Sequence, residues 1–256
     1  MIRLIIQFVF CVLLLSCSFS NTSRLKYSQN NSSKAASKEL SKTSSTSNSG
    51  VIDILLPFTY RLFEGDNPTK KMNKNWLDLY SVDGEYFIDN ANYSIKKDKD
   101  ECSGLDTRTI ESKRKTLLFI NNANLLKGKI QSLQISKDIL FPDEQITFDF
   151  ANKHYSLRAE GTQRDSTCSQ YCLSDYKIFI KVNDGPEQLI LSADHFEDSI
   201  YSLLFVGDID GDGKLDFVFD THQNYEVKSA SLFLSSKVDS GEVVKMVAEI
   251  NINFDC

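Results

Sequence analysis

The sequence predicts a mainly β fold: an antiparallel β-sandwich or meander-like domain with at most one or two short helices. Three features of the sequence lead to this prediction. Apolar and polar residues alternate over many short segments beyond Val51, which is the period of a strand that buries one face. Clusters of Asn, Asp, Gly and Ser separate these segments and suit tight turns. Helical periodicity is scarce in the same part of the chain.

Two pairs of alternating segments predict β-hairpins. Residues 145–150 and 154–158 flank a turn that contains Asn152. Residues 176–182 and 187–191 flank the turn Asn-Asp-Gly-Pro, whose residues tolerate a positive φ or preset their backbone. Both hairpins therefore follow from local turn chemistry and alternation together.

The other strand candidates are shorter or less regular. They are residues 85–88, 116–120, 130–135, 202–206, 215–219, 231–234 and 243–250. Residues 70–79 could form one short helix. Residues 51–63 are apolar, and their period is ambiguous between a helix and a strand.

The start of the chain is a predicted export signal. Arg3 precedes an apolar run over residues 4–15, interrupted only by Gln7. About 12 apolar residues fall short of the roughly 20 that cross a bilayer, so residues 1–16 are predicted to be a signal peptide rather than a spanning helix.

The end of this run, Leu14-Leu15-Ser16-Cys17, resembles the bacterial lipobox, although Leu15 stands where smaller residues are commoner. The resemblance implies that Cys17 is acylated, and its buried methylenes, at about 0.8 kcal/mol each, would anchor the protein to a membrane. An aspartate directly after the cysteine would resemble an inner-membrane retention signal. Ser18 stands there instead, so the resemblance favours the outer membrane of a bacterial cell envelope. Alternatively, the segment is an ordinary secretory signal and Cys17 is incidental.

Residues 17–50 are predicted to be the lipidated cysteine followed by a flexible tether. Residues 21–50 contain ten serines, three threonines and four asparagines, with few apolar side chains. Such a segment cannot bury enough surface to offset its ordering entropy. Residues 51–256 are then a single β-rich domain.

Four cysteines remain for the domain once Cys11 leaves with the signal and Cys17 is acylated: Cys102, Cys168, Cys172 and Cys256. An even count in an exported chain predicts two disulfides, and three pairings are open. We favour Cys168 with Cys172, which leaves Cys102 with Cys256. A metal site on Cys168 and Cys172 is the rival hypothesis, but the spacing is not that of zinc knuckles and no histidine is close in sequence.

A run of alternating aspartates between two apolar segments predicts a calcium-binding loop over residues 208–216. Asp208, Asp210, Asp212 and Asp216 occupy loop positions 1, 3, 5 and 9. Calcium takes six to eight oxygen ligands, and a short loop supplies them by presenting every second side chain inward. The carbonyl oxygen of Lys214 is the predicted backbone ligand, and Gly213 would allow the sharp bend before it.

The loop differs from an EF-hand, because Phe219 stands where the bidentate acid belongs and strands replace the flanking helices. It resembles the FG-GAP or VCBS repeat of integrin-type propellers, a strand followed by Gly-Asp-x-Asp-x-Asp-Gly-x-x-Asp and a second strand. The resemblance covers roughly residues 203–220 and implies Ca²⁺ as the bound ion. A propeller needs several blades, and the sequence holds one copy, so we expect one such unit within another β architecture rather than a full propeller.

A wider stretch, residues 204–236, resembles envelope lipoproteins of Bacteroidetes type, a group to which no activity is assigned. The features that carry this resemblance are an Asp-x-x-x-x-Tyr-x-Val stretch over residues 220–227 and the Leu-Phe-Leu-Ser-Ser sequence over residues 232–236.

Composition and motifs favour a binding or structural module over an enzyme. The formal net charge is −6, and no basic stripe with interleaved aromatics suggests nucleic acid as a partner. His154, His195 and His222 are scattered, and no nucleophile motif accompanies Asp194-His195. We therefore expect a non-catalytic, calcium-stabilised envelope lipoprotein whose partners are the membrane and a protein or glycan. The alternative is an envelope hydrolase whose active site is not visible in sequence.

Overall fold

The computed structural model describes residues 51–63, 66–122, 124–164, 169–196 and 198–254. Their strands are β1 (Asp53–Leu55), β2 (Thr59–Arg61), β3 (Leu77–Val82), β4 (Glu85–Asn90), β5 (Tyr93–Lys99), β6 (Asp106–Ser112), β7 (Lys115–Asn121), β8 (Gly128–Lys129), β9 (Gln145–Phe150), β10 (Lys153–Gln163), β11 (Leu173–Val182), β12 (Gln188–His195), β13 (Ser202–Gly207), β14 (Asp216–Asp220), β15 (Val227–Leu234) and β16 (Lys245–Asn253). Two 3-10 helices cover Pro68–Lys71 and Ser235–Lys237.

These strands form four antiparallel sheets. A five-stranded sheet has the order β1-β7-β3-β4-β8, and a three-stranded sheet has the order β2-β6-β5. The third sheet runs β12-β11-β10-β9, and the fourth, which we name the central sheet, runs β13-β14-β15-β16. The prediction of a mainly β, antiparallel fold is confirmed, and the described strands form no propeller.

The central sheet lies between two hydrophobic cores. All five residues of β14 are buried. Val218 packs in the first core with the five-stranded and three-stranded sheets, whereas Phe217 and Phe219 pack in the second core with the β9–β12 sheet. A strand that is buried on both faces carries a continuous apolar run instead of alternation. This explains why the predicted strands beside the aspartate loop are almost uniformly apolar.

Both predicted hairpins are confirmed. Phe150 pairs with Lys153 across a turn in which Ala151 and Asn152 have φ of 48° and 61°. Two successive positive φ angles define the turn type that matches the twist of antiparallel strands. The second hairpin joins β11 to β12, and its turn begins at Asn183, with φ of 49°.

The helix predicted over residues 70–79 is wrong. The chain forms a 3-10 helix only to Lys71, and β3 begins at Leu77. Between them, the Asn73 side chain donates to the Lys71 carbonyl (3.0 Å) and accepts from the Asn75 amide (2.9 Å). Local bonds of this kind compete with helical bonds and end the helix.

The strand predicted over residues 130–135 is also wrong. The Ile130 amide bonds to Tyr86 of β4, whereas Leu133 bonds to Val206 of β13. The segment therefore crosses from the five-stranded sheet to the central sheet and pairs continuously with neither. Only an isolated bridge, Ser132 with Gly207, joins it to β13.

The ambiguous segment 51–63 forms β1 and β2, two strands of three residues each. The hairpin of β5 and β6 was not predicted, because all but the first residue of β5 is exposed and no apolar alternation marks it.

Several predictions fall on residues outside those that the structure describes. They are the signal peptide, the acylation of Cys17, the tether, and the roles of Cys168 and Cys256. Cys102 and Cys172 are each disulfide-bonded, and the pairing that we favour stays a prediction. Within the described ranges, no helix is long and apolar enough to span a membrane.

Candidate metal centre

The aspartate loop connects β13 to β14, and Gly207 fixes where it starts. A Cβ on Gly207 would lie 2.6 Å from the Gln131 carbonyl oxygen and 2.9 Å from the Ser132 Cα, which is closer than real contacts allow. Because residue 207 is glycine, the backbone of Gln131 and Ser132 packs directly against it. The Asp208 amide then donates to the Gln131 carbonyl (2.9 Å), which anchors the first residue of the loop.

The Asp208 carboxylate accepts hydrogen bonds from three backbone amides of its own loop and so holds the loop in a tight turn. Its Oδ1 accepts from the amides of Gly211 (2.7 Å) and Asp212 (3.0 Å), and its Oδ2 accepts from the amide of Gly213 (2.9 Å). Gly211 and Gly213 have φ of 78° and 77°, a region that favours glycine. The bend predicted at Gly213 is confirmed.

Three of the four predicted carboxylates come together. One oxygen from each of Asp208, Asp210 and Asp216 lies within 4.8 Å of the others. Two oxygens that share a calcium ion at about 2.4 Å lie at most about 4.8 Å apart. The spacing of this group, which we name the aspartate triad, therefore suits a single calcium ion.

Asp216 is the buried member of the triad. Its side chain is fully buried, and its two oxygens accept from the amides of Ile209 (2.7 Å) and Ser235 (2.8 Å). Burial, together with repulsion from Asp210, raises the pKa of Asp216 to about 8. A nearby divalent cation would offset both effects and favour the ionised carboxylate.

Asp210 carries an oxygen with no protein partner. The Ser236 hydroxyl donates to Oδ2 of Asp210, whereas Oδ1 is buried and makes no hydrogen bond within the described part of the chain. Burial, with the charges of Asp212 and Asp208, raises the pKa of Asp210. A buried acceptor without a donor is costly, and a cation in the triad would satisfy it. The residues thus fit a calcium ion.

Asp212 does not belong to the triad. Its Oδ1 accepts from the Lys214 amide (2.9 Å) and the Ser235 hydroxyl (3.0 Å), and its Oδ2 lies 3.1 Å from the Lys214 ammonium. The role of Asp212 as a direct ligand, and that of the Lys214 carbonyl, stay predictions.

Ser235 and Ser236 were not predicted as site residues. They belong to the second 3-10 helix, which follows β15 directly, and they contact all three of Asp210, Asp212 and Asp216. The only signal in the sequence was the Ser-Ser pair after an apolar strand. Its proximity to the loop depends on the pairing of β14 with β15.

The histidines lie apart from the triad. His222 Nδ1 is 2.6 Å from Oδ1 of buried Asp220, which also pairs with Lys228. Burial opposes ionisation of Asp220, but hydrogen bonds from His222 and Lys228 outweigh it and lower its pKa. His154 pairs with Asp149 at an exposed hairpin turn (2.8 Å), and Asp194 and His195 are exposed on β12.

A comparison of the chain with models of known protein families, with curated proteins and with solved structures finds no match. The resemblance of the loop to FG-GAP or VCBS repeats therefore stays an expectation from the sequence motif.

Proposed function

We propose that the loop over residues 208–216 binds one calcium ion, and that the ion stabilises the β domain of a non-catalytic envelope module. The observation that carries this proposal is the aspartate triad with its unsatisfied buried oxygen on Asp210. The three ligand atoms that the triad offers are carboxylate oxygens, which hard divalent cations prefer. Calcium suits them better than magnesium because it accepts irregular geometry and sheds its waters more readily.

The position of the loop explains how an ion would stabilise the domain. The triad joins the β13–β14 hairpin to the Ser235–Lys237 helix after β15, through the bond from the Ser235 amide to Asp216. The central sheet contributes to both hydrophobic cores. At millimolar calcium, a site with a Kd of about 0.1 to 1 mM would add roughly 0.4 to 1.4 kcal/mol to the free energy of unfolding.

The cellular setting of the proposal comes from the sequence. The predicted signal peptide and lipobox support an envelope protein that is anchored by lipid on Cys17, where millimolar calcium would be available. Mass spectrometry of the mature protein would detect acyl chains on Cys17, and their absence would remove the anchor from the proposal. The partner class we propose is a protein or glycan outside the membrane.

Calcium titration of the purified protein tests the ion site. Calcium should raise the melting temperature by about 2 to 4 °C for each kcal/mol of added stability, with a smaller effect of magnesium. Asp210→Asn should abolish this rise, and without calcium it should be at least as stable as the wild type because it removes one repelling charge.

Asp184→Asn, in the exposed turn after β11, is the matched control and should keep the full response to calcium. Equal melting temperatures in calcium and in chelator, together with no heat of binding in calorimetry, would refute the proposal.

A further inference from the structure

We propose that Lys214 acts as a built-in competitor for calcium: its ammonium neutralises Asp212 in the empty loop and opposes the ion in the loaded one. The inference rests on the proposed function, because it concerns the affinity of the same loop. It assigns Lys214 a role as a positioning residue that sets affinity through Asp212.

The contacts of Asp212 carry this inference. Lys214 donates to both oxygens of the Asp212 carboxylate: its backbone amide donates to Oδ1 (2.9 Å) and its ammonium donates to Oδ2 (3.1 Å). The Ser235 hydroxyl adds a third donor on Oδ1 (3.0 Å). Each oxygen of Asp212 therefore already has a donor, and Asp212 is the one loop aspartate that stays outside the triad.

The positive charge of Lys214 stabilises the empty loop but destabilises the loop that holds calcium. In the empty loop, the ammonium of Lys214 reduces the repulsion between Asp212 and the aspartate triad, so it stabilises the folded loop. In the loaded loop, the same charge lies near a divalent cation and repels it. A single positive charge about 6 Å from a divalent ion weakens binding by about tenfold at the dielectric constant of water.

The exposure of the pair limits the size of the effect. The Lys214 side chain is 42% exposed, so salt screens its charge. We therefore expect a change in affinity of about three- to tenfold at low ionic strength, and less at high salt. The physical result would be a loop that keeps its shape without calcium and binds the ion only at high free concentrations.

The test compares Lys214→Met with the wild-type protein at low salt. Calorimetry should show that calcium binds about three- to tenfold more tightly to the variant. In chelator, the variant should melt at a lower temperature than the wild type, so its rise on adding calcium should be larger. A merely structural role would lower both melting temperatures alike and would not tighten binding.

Three further variants isolate the charge. Lys214→Arg keeps the positive charge and should retain the wild-type affinity, whereas Lys214→Gln should tighten binding as Lys214→Met does. Lys99→Met removes another exposed lysine that pairs with an aspartate, Asp106 at 3.5 Å in the three-stranded sheet, and should leave the affinity unchanged.

The outcomes separate this inference from the proposed function. Calcium binding by the wild type with no gain in Lys214→Met, or with an equal gain in Lys214→Arg, would overturn the inference alone. Binding by neither protein would overturn both. Measurable binding by the wild type, with about three- to tenfold tighter binding by both Lys214→Met and Lys214→Gln, would support the inference.

Discussion

Arg114 is the partner of a buried carboxylate in the five-stranded sheet. Asp78 on β3 is fully buried; its Oδ1 accepts from the Thr116 hydroxyl (2.7 Å), and its Oδ2 lies 3.5 Å from the Arg114 guanidinium. Burial raises the pKa of Asp78, although Thr116 and Arg114 act in the opposite direction. Arg114 also lies over the ring of Tyr80, 4.3 Å from its centroid.

Arg114→Met should destabilise the protein by about 3 kcal/mol at pH 7, because it leaves the Asp78 charge buried without a cation. The ordinary pKa of 3.8 applies to Asp78 in the unfolded chain, and the folded-state pKa is higher. The stability linked to this group is thus present below pH 3.8 and lost as the pH rises through the folded-state pKa.

Because the variant raises the folded-state pKa of Asp78 further, its deficit should be larger at pH 7 than at pH 4. Urea unfolding at the two pH values measures this difference. The double variant with Asp78→Asn should recover part of the loss at pH 7. Equal deficits at both pH values would show that Arg114 acts through its packing instead.

At the scale of elements, one side chain ties the edge strand β12 to the chain that enters β16. The Gln188 Oε1 accepts from the amides of Val243 (2.6 Å) and Val244 (3.2 Å), and its Nε2 donates to the Val244 carbonyl (2.7 Å). Val244 is fully buried in the second core. The amide group of Gln188 thus satisfies backbone groups that have no strand partner there.

Gln188→Ala should lower the free energy of unfolding by about 1 to 3 kcal/mol, since it leaves partly buried backbone donors and an acceptor unpaired. Hydrogen exchange of the Val243 and Val244 amides should accelerate as well. Gln134→Ala removes an exposed glutamine that donates to Gly84 at 3.3 Å, and it should cost less than about 0.5 kcal/mol. Similar losses in both variants would contradict the role of Gln188.

At the scale of the whole molecule, the central sheet couples the two cores. Trp76, the single tryptophan of the sequence, is fully buried in the first core. Phe219 packs in the second core on the other face of β14. A substitution that weakens packing on one face of this sheet should therefore also lower the stability of the core on the other face. We expect the domain to unfold as one cooperative unit.

Phe219→Leu should lower stability by about 1 to 2 kcal/mol through the cavity that it leaves. The midpoint of denaturation followed by Trp76 fluorescence should fall together with the midpoint followed by circular dichroism. Leu189→Ala, at an exposed position of β12, should leave both midpoints in place. A shift confined to the circular dichroism signal would show that the two cores unfold separately.

The correctly predicted elements are those whose cause is local. The hairpins at Asn152 and Asn183 follow from turn residues that accept a positive φ, and the carboxylate spacing of the loop is visible within nine residues. The error at residues 130–135 arises where distant contacts decide the backbone, whereas the error at residues 70–79 arises from the local hydrogen bonds of Asn73, which end the 3-10 helix. Strand β5 carries no apolar alternation because nearly all of its residues are exposed. It was missed because its pairing with β6, which makes it a strand, leaves no local pattern in the sequence.

The sequence by itself determined the antiparallel β character and the strand–loop–strand unit with alternating aspartates, because alternation and turn preference act over a few neighbouring residues. The tertiary structure decided which of these aspartates meet. Pairing of β14 with β15 brings Ser235 and Ser236 onto the loop, where the Ser235 amide donates to Asp216 and the Ser235 hydroxyl donates to Asp212. It also placed the central sheet between two cores, since packing across sheets depends on residues far apart in the chain.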